Sequence, residues 1–222
     1  MTAVELHPLA LSFQVASVAT LLSLLVGLPL AWLLARRRLP GTDFWTVVVL
    51  LPMVLPPTVL GYYLLLLIGR SGPLGQVSEA LGFGRLVFTP TAAVIAAFVA
   101  SIPFLIRAAQ AGFEQVDPTY EEAARTLGRS EWAIAVTVTL PLAWRAILAG
   151  IALAFARAVG EFGATVMVAG SIPGRTRTGS VAIYDAVQAG RMNDAHLLAL
   201  LLTLTTAGAL LLLTRLGRGR GW

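Results

Sequence analysis

The sequence has 222 residues, 57% hydrophobic and 12% charged, with a mean hydropathy of +0.82. A soluble domain of this size carries about twice that charge fraction, so composition excludes an ordinary water-soluble core and indicates a membrane protein. The formal net charge is +5, every basic residue is Arg, and there is no Cys and no Lys, which excludes disulfides, thiolate metal sites and a nucleotide-binding P-loop, whose phosphate ligand is a Lys.

The first element is the charge-free run Pro8–Ala35. It is long enough to cross a hydrocarbon core that needs about 20 helical residues. Met1–Ala10 has no positive n-region, so this run is expected to stay as a span and not to be cleaved as a signal. Arg36, Arg37 and Arg38 follow it. By the positive-inside rule they place the loop 36–43 in the cytoplasm and the N-terminus outside. The second run, Phe44–Gly69, returns outward and contains Pro52, Pro56 and Pro57, which predict a kinked span. Residues 70–85 form an external loop. The third run, Leu86–Ile106, carries Pro103 and a stripe of Ala92, Ala93, Ala96, Ala97, Ala100 and Ser101, a composition that lets helices pack closely. The region 108–140 is then cytoplasmic.

Within it, Asp117 is a good N-cap and Pro118 a good first helical residue. A short helix over 118–127 is expected, ended by Gly128 in a left-handed conformation. Ser130 caps a second helix that leads into a fourth, weaker span over 141–160, interrupted by Arg145 and Arg157. Residues 165–193 are external, with a sixth short or re-entrant helix open within 162–190. The run Ala195–Thr214 brings Arg215, Arg218 and Arg220 inside. Arg side chains border apolar spans throughout, so the basic balance reads as topology and not as a nucleic-acid site.

The segment 121–141 resembles the coupling loop of ABC importer permeases. The pattern E-A-A-x3-G-x9-I-x-L-P stands here as Glu122, Ala123, Ala124, Gly128, Val138, Leu140 and Pro141, with Val where Ile is usual. The resemblance implies an all-α polytopic membrane helical bundle of the ABC importer permease (MetI-like) type with five to six transmembrane helices. It also implies one transmembrane permease domain over 1–222 and a cytoplasmic coupling loop about 108–140. In this reading Ala123 and Ala124 allow close approach to a groove of the ATPase. Glu122 offers a carboxylate to a basic residue there, and Gly128 aims the helix.

A second stretch is similar to the molybdate permease family. It runs Phe155-Ala-Arg157-Ala-Val-Gly-Glu161-Phe-Gly-Ala-Thr165, then Ile172-Pro-Gly-Arg-Thr-Arg-Thr178, with Ile183-Tyr184 beyond. The likeness implies translocation of molybdate across a prokaryotic cytoplasmic membrane by a non-catalytic subunit, with tungstate or sulfate as alternatives. It further implies a homodimer, two ABC ATPase subunits that carry ATP and Mg, and an extracytoplasmic oxyanion-binding protein, with no cofactor on this chain. Arg157 and Glu161 are four residues apart and share a helix face. They read either as a neutral pair that fixes packing or as part of an anion path. Arg175, Arg177 and Arg191 are external cations that either dock a partner, meet the anion or are solvated. His7 and His196 are isolated and make no metal site. Two other classes are weighed. An intramembrane enzyme built on Glu121–Glu122 lacks a ligand set. A secondary transporter would need internal repeats and a midplane ion site, neither of which is present in the sequence.

Overall fold

The computed structural model describes residues 6–36 and 40–218, with side chains to 215. Arg37, Arg38 and Arg220 lie outside the described residues, as does the side chain of Arg218. Helix α1 spans His7–Ala35 and contains Pro29. Helices α2 (Thr42–Val54) and α3 (Pro57–Ile68) form one apolar run bent by 112° at residues 55–56. The short α4 (Pro73–Ala80) leads to α5 (Pro90–Glu114). Then come α6 (Pro118–Thr126) and α7 (Glu131–Ile134), a turn of π-helix (Ala135–Thr139), and α8 (Leu140–Leu142). Helix α9 (Trp144–Val159) makes a 76° bend with the segment before it. The chain ends in α10 (Gly163–Ala169), α11 (Gly179–Gln188) and α12 (Met192–Arg218). There is no strand among the described residues.

Helices α1, α5 and α12 are each long and apolar enough to cross a membrane, and the two bent pairs raise the number of crossings to as many as five. The region 162–190 holds α10 and α11, which are too short to add a sixth full span. The prolines act unequally. Pro56 and Pro57 coincide with the sharp break, where Pro57 opens α3 at a position that needs no N–H. Pro103 and Pro52 sit inside helices that continue past them. Helix α5 also runs to Glu114, so the first part of the expected 108–140 loop is the end of a span.

Helix α5 is the centre of the bundle, packed by α1 and α9 and touched by α2, α3 and α10. Its alanine stripe explains this. Ala92, Ala93, Ala96, Ala97, Ala100 and Ser101 are all closed to solvent, which is what close helix approach between small side chains requires. Gly112 on α5 marks the tightest part of the α5–α9 contact, where an added Cβ would collide with the Cβ of Ala146. We therefore expect Gly112→Ala to cost about 1–3 kcal/mol, the range for overpacking. Thermal unfolding in detergent checks this. The swap Gly112→Ala with Ala146→Gly should recover most of the loss, since it returns one methyl to the same space.

Candidate functional site

Two places combine charge, burial and chain discontinuity. The first is the α6 segment. Asp117 accepts a hydrogen bond from the Thr119 amide at 2.9 Å and another from its hydroxyl at 2.7 Å. These bonds hold the Asp117 carboxyl below the ordinary carboxylate range. Pro118 is the first helical residue. At the other end Gly128 has φ +76°. Its amide donates to Arg125 O at 2.9 Å, and the Arg129 amide donates to Ala124 O at 3.2 Å. That pair of bonds is the Schellman closure. Ser130 then caps α7 through the Ala133 amide at 3.3 Å. The expected helix, turn and second helix are all present with the expected caps.

The faces of α6 are sharply divided. Glu122, Ala123 and Gly128 are exposed and Ala124 is half-buried. Tyr120 and Leu127, both large and apolar, are also exposed beside them, Leu127 at 81%. Leu140 and Pro141 are not on this face. They form α8, at the bend between the π turn and α9. The pattern residues thus divide between an exposed helix and the joint that connects it to a span.

Glu121 is the residue that the sequence pattern passed over. It is 5% exposed and accepts hydrogen bonds from Arg36, next to the end of α1, and from the Thr139 hydroxyl at 2.6 Å. Arg36 also donates to Phe113 O at 3.3 Å. Arg125 lies 3.6 Å from Glu121 and 2.6 Å from Glu131. The Glu131 hydrogen bond holds the Arg125 guanidinium more firmly protonated. The i,i+4 spacing of Glu121 and Arg125 was visible in the sequence, but the decisive partner, Arg36, is remote in the chain.

The second place is the break between α9 and α10. Helix α9 ends at Val159, so Glu161 lies just past its last turn and not within it. Its carboxylate, 2% exposed, pairs with Arg157 at 2.6 Å and accepts the Ala164 amide at 2.8 Å, capping α10. Gly163 lies against Pro57, whose Cβ would sit 2.6 Å from a Cβ at 163. The two chain breaks therefore meet. Outside them, Arg177 pairs with Asp185 at 3.1 Å and with Ser171, and Arg191 pairs with Asp194 at 3.1 Å. Arg175 is exposed, as are His7 and His196, and no group of His, Asp or Glu among the described residues has metal-site geometry.

Residues 27–218 match the family described as binding-protein-dependent transport system inner membrane component. The molybdenum transport system permease protein ModB of Azotobacter vinelandii is 43% identical over 195 residues, covering 88% of this chain and 86% of that protein. A probable sulfate transport system permease protein of Chlorella vulgaris is 35% identical over 178 residues, covering 80% and 66%. Among solved structures, an inward-facing MetNI methionine ABC transporter superposes with a TM-score of 0.75 at 17% identity, over 97% of this chain and 95% of that one. At that identity the likeness concerns the fold.

The pair at the α9–α10 break makes a stability prediction. Glu161→Ala leaves Arg157 without its partner and α10 without its cap, and should cost about 3–5 kcal/mol, as for a broken buried pair. The double variant Arg157→Met with Glu161→Gln should recover at least half of this. Both are read as unfolding midpoints in detergent.

Proposed function

The chain belongs to the family of binding-protein-dependent transport system inner membrane components, and from that premise we propose that it passes molybdate across the cytoplasmic membrane. The family's chains are permease subunits without catalysis of their own, and the absence of Lys leaves no P-loop here. Molybdate is favoured over sulfate because the molybdenum permease relative is closer in sequence and matches more of both chains. Two copies form the path between them. An extracytoplasmic oxyanion-binding protein delivers the anion, and two ABC ATPase subunits bind ATP and Mg on the cytoplasmic side. The N-terminus lies outside and the C-terminus inside, which the positions of Arg36, Arg107, Arg125, Arg129 and Arg215 support. The whole chain acts as a single permease domain.

The observation that carries the coupling role is the shape of α6. It is a short helix, capped at both ends, with an exposed small and apolar face. Tyr120, Ala123 and Leu127 supply the surface that enters a groove of the ATPase, and Glu122 meets a basic residue beside it. Gly128 fixes the angle at which α6 leaves the membrane. Leu140 and Pro141, at the joint into α9, receive the motion as a rigid-body displacement. At the far end of α9, Arg157 adds positive potential to the path. Glu161 keeps that charge from trapping the anion, since a permease must release what it binds.

Reconstitution into proteoliposomes with the ATPase and binding protein tests this reading. ATP-dependent molybdate uptake is expected, with little competition from excess sulfate. Sulfate uptake at the same rate would overturn the cargo. Gly128→Val forces a β-branched residue into a left-handed backbone at a cost of about 1–2 kcal/mol. No atom lies within 4 Å of the added Cβ, so the effect is on the turn alone. Uptake should fall while ATP hydrolysis persists, and Gly128→Asn should be close to wild type. Arg157→Gln should slow uptake at equal expression.

A further inference from the structure

The side chain that ties α6 to the spans is Glu121, and no element of the coupling pattern contains it. Around its buried carboxylate stand Arg36 at the end of α1, Thr139 closing the π turn, and Arg125, itself held by Glu131 of α7. Arg36 extends the cluster to the end of α5 through Phe113 O. The carboxylate itself touches Arg36, Thr139 and Arg125, and through Arg125 and Arg36 the cluster reaches α7 and the end of α5. Its neighbour Glu122 is exposed, because successive residues on a helix point about 100° apart.

We propose that Glu121 is the positioning residue through which displacement of α6 reaches α1 and the π turn. The proposal rests on the reading of α6 as the ATPase contact, and it assigns the next step inward. A buried carboxylate and a half-buried guanidinium cannot be drawn apart without leaving the carboxylate charge unpaired in a poorly solvated site. Helix α6 therefore cannot slip over the end of α1, and the two move together. Thr139 makes the second connection. It belongs to a π turn, a form that often marks functional sites in helices, and it lies just before the 76° bend into α9. A shift of Glu121 pulls Thr139 and turns that joint. Glu122 faces the partner chain, and Glu121 faces the membrane helices.

The test uses the complete complex in proteoliposomes: permease, ATPase and binding protein. Molybdate taken up per ATP hydrolysed is compared for wild type, Glu121→Gln, Arg36→Gln, the double variant and Thr139→Val, with co-purification of the ATPase measured for each. Glu121→Gln and Arg36→Gln should each lower uptake per ATP roughly tenfold, the scale of a charge-assisted hydrogen bond. The double variant should be no worse than either single, as for two ends of one contact. Thr139→Val should lower the ratio a few-fold, and the ATPase should still co-purify with every variant. Wild-type uptake per ATP in the variants would overturn the proposal. So would a smaller yield of complex with the ratio unchanged, which is the result of a merely structural role. If Glu121→Gln yields no folded complex, Arg36→Gln and Thr139→Val decide by the same ratio. Failure of the wild-type permease to bind an ATPase would instead overturn the reading of α6, and this proposal with it.

Discussion

A bilayer core offers no hydrogen-bond partner to a broken helix, and this constraint organises the whole chain. The chain is broken at 55–56 and again at 160–162. Each break is made tolerable by local chemistry. At the first, Pro56 and Pro57 have no N–H to leave unpaired. At the second, the Glu161 carboxylate takes up the Ala164 amide while Arg157 balances its charge. Gly163 then lets the two breaks lie against each other without a side chain between them. The alanine stripe of α5 serves the same end, since helices that approach closely shield each other's backbone.

The two sites lie at opposite ends of one helix, α9. Helix α9 begins at the bend beside Thr139 and Leu140 and ends at Val159, two residues before Glu161. Its 16 residues span about 24 Å at 1.5 Å per residue, most of a bilayer core. Under the coupling role proposed for α6, rotation at the joint before α9 reaches the place where the breaks meet and where Arg157 sits. Helix α5 is a long neighbour packed along α9, and in that role it provides the surface against which α9 turns.

Much of this was legible in the sequence because it is local. Charge-free runs gave the spans, and Asp117, Pro118, Gly128 and Ser130 gave the α6 turn, since caps depend on residues a few positions apart. The Arg157–Glu161 pair follows from i,i+4 spacing, although the helix ends before Glu161 is reached. The severity of the break at 55–56 was not legible. Pro52, Pro56 and Pro57 look alike in the sequence, and only tertiary packing decides which of them turns the chain through 112°. Pro103 lies inside α5, and the helix continues through it. The π turn left no trace in residue type. Glu121 was hidden for a different reason. Beside Glu122 it reads as another charge on a solvated loop, and its burial depends on Arg36, which arrives from the end of a distant span.

The contact made by the exposed face of α6 can be measured directly, because the chain has no Cys and a single introduced thiol is unambiguous. With Ala123→Cys in the assembled complex, a short bifunctional reagent should cross-link the permease to the ATPase subunit, and nucleotide should change the yield. A thiol at Phe83, exposed on the loop before α5, should give no such product. No cross-link from position 123 in a complex that hydrolyses ATP and takes up molybdate would contradict the assignment of α6 as the coupling helix.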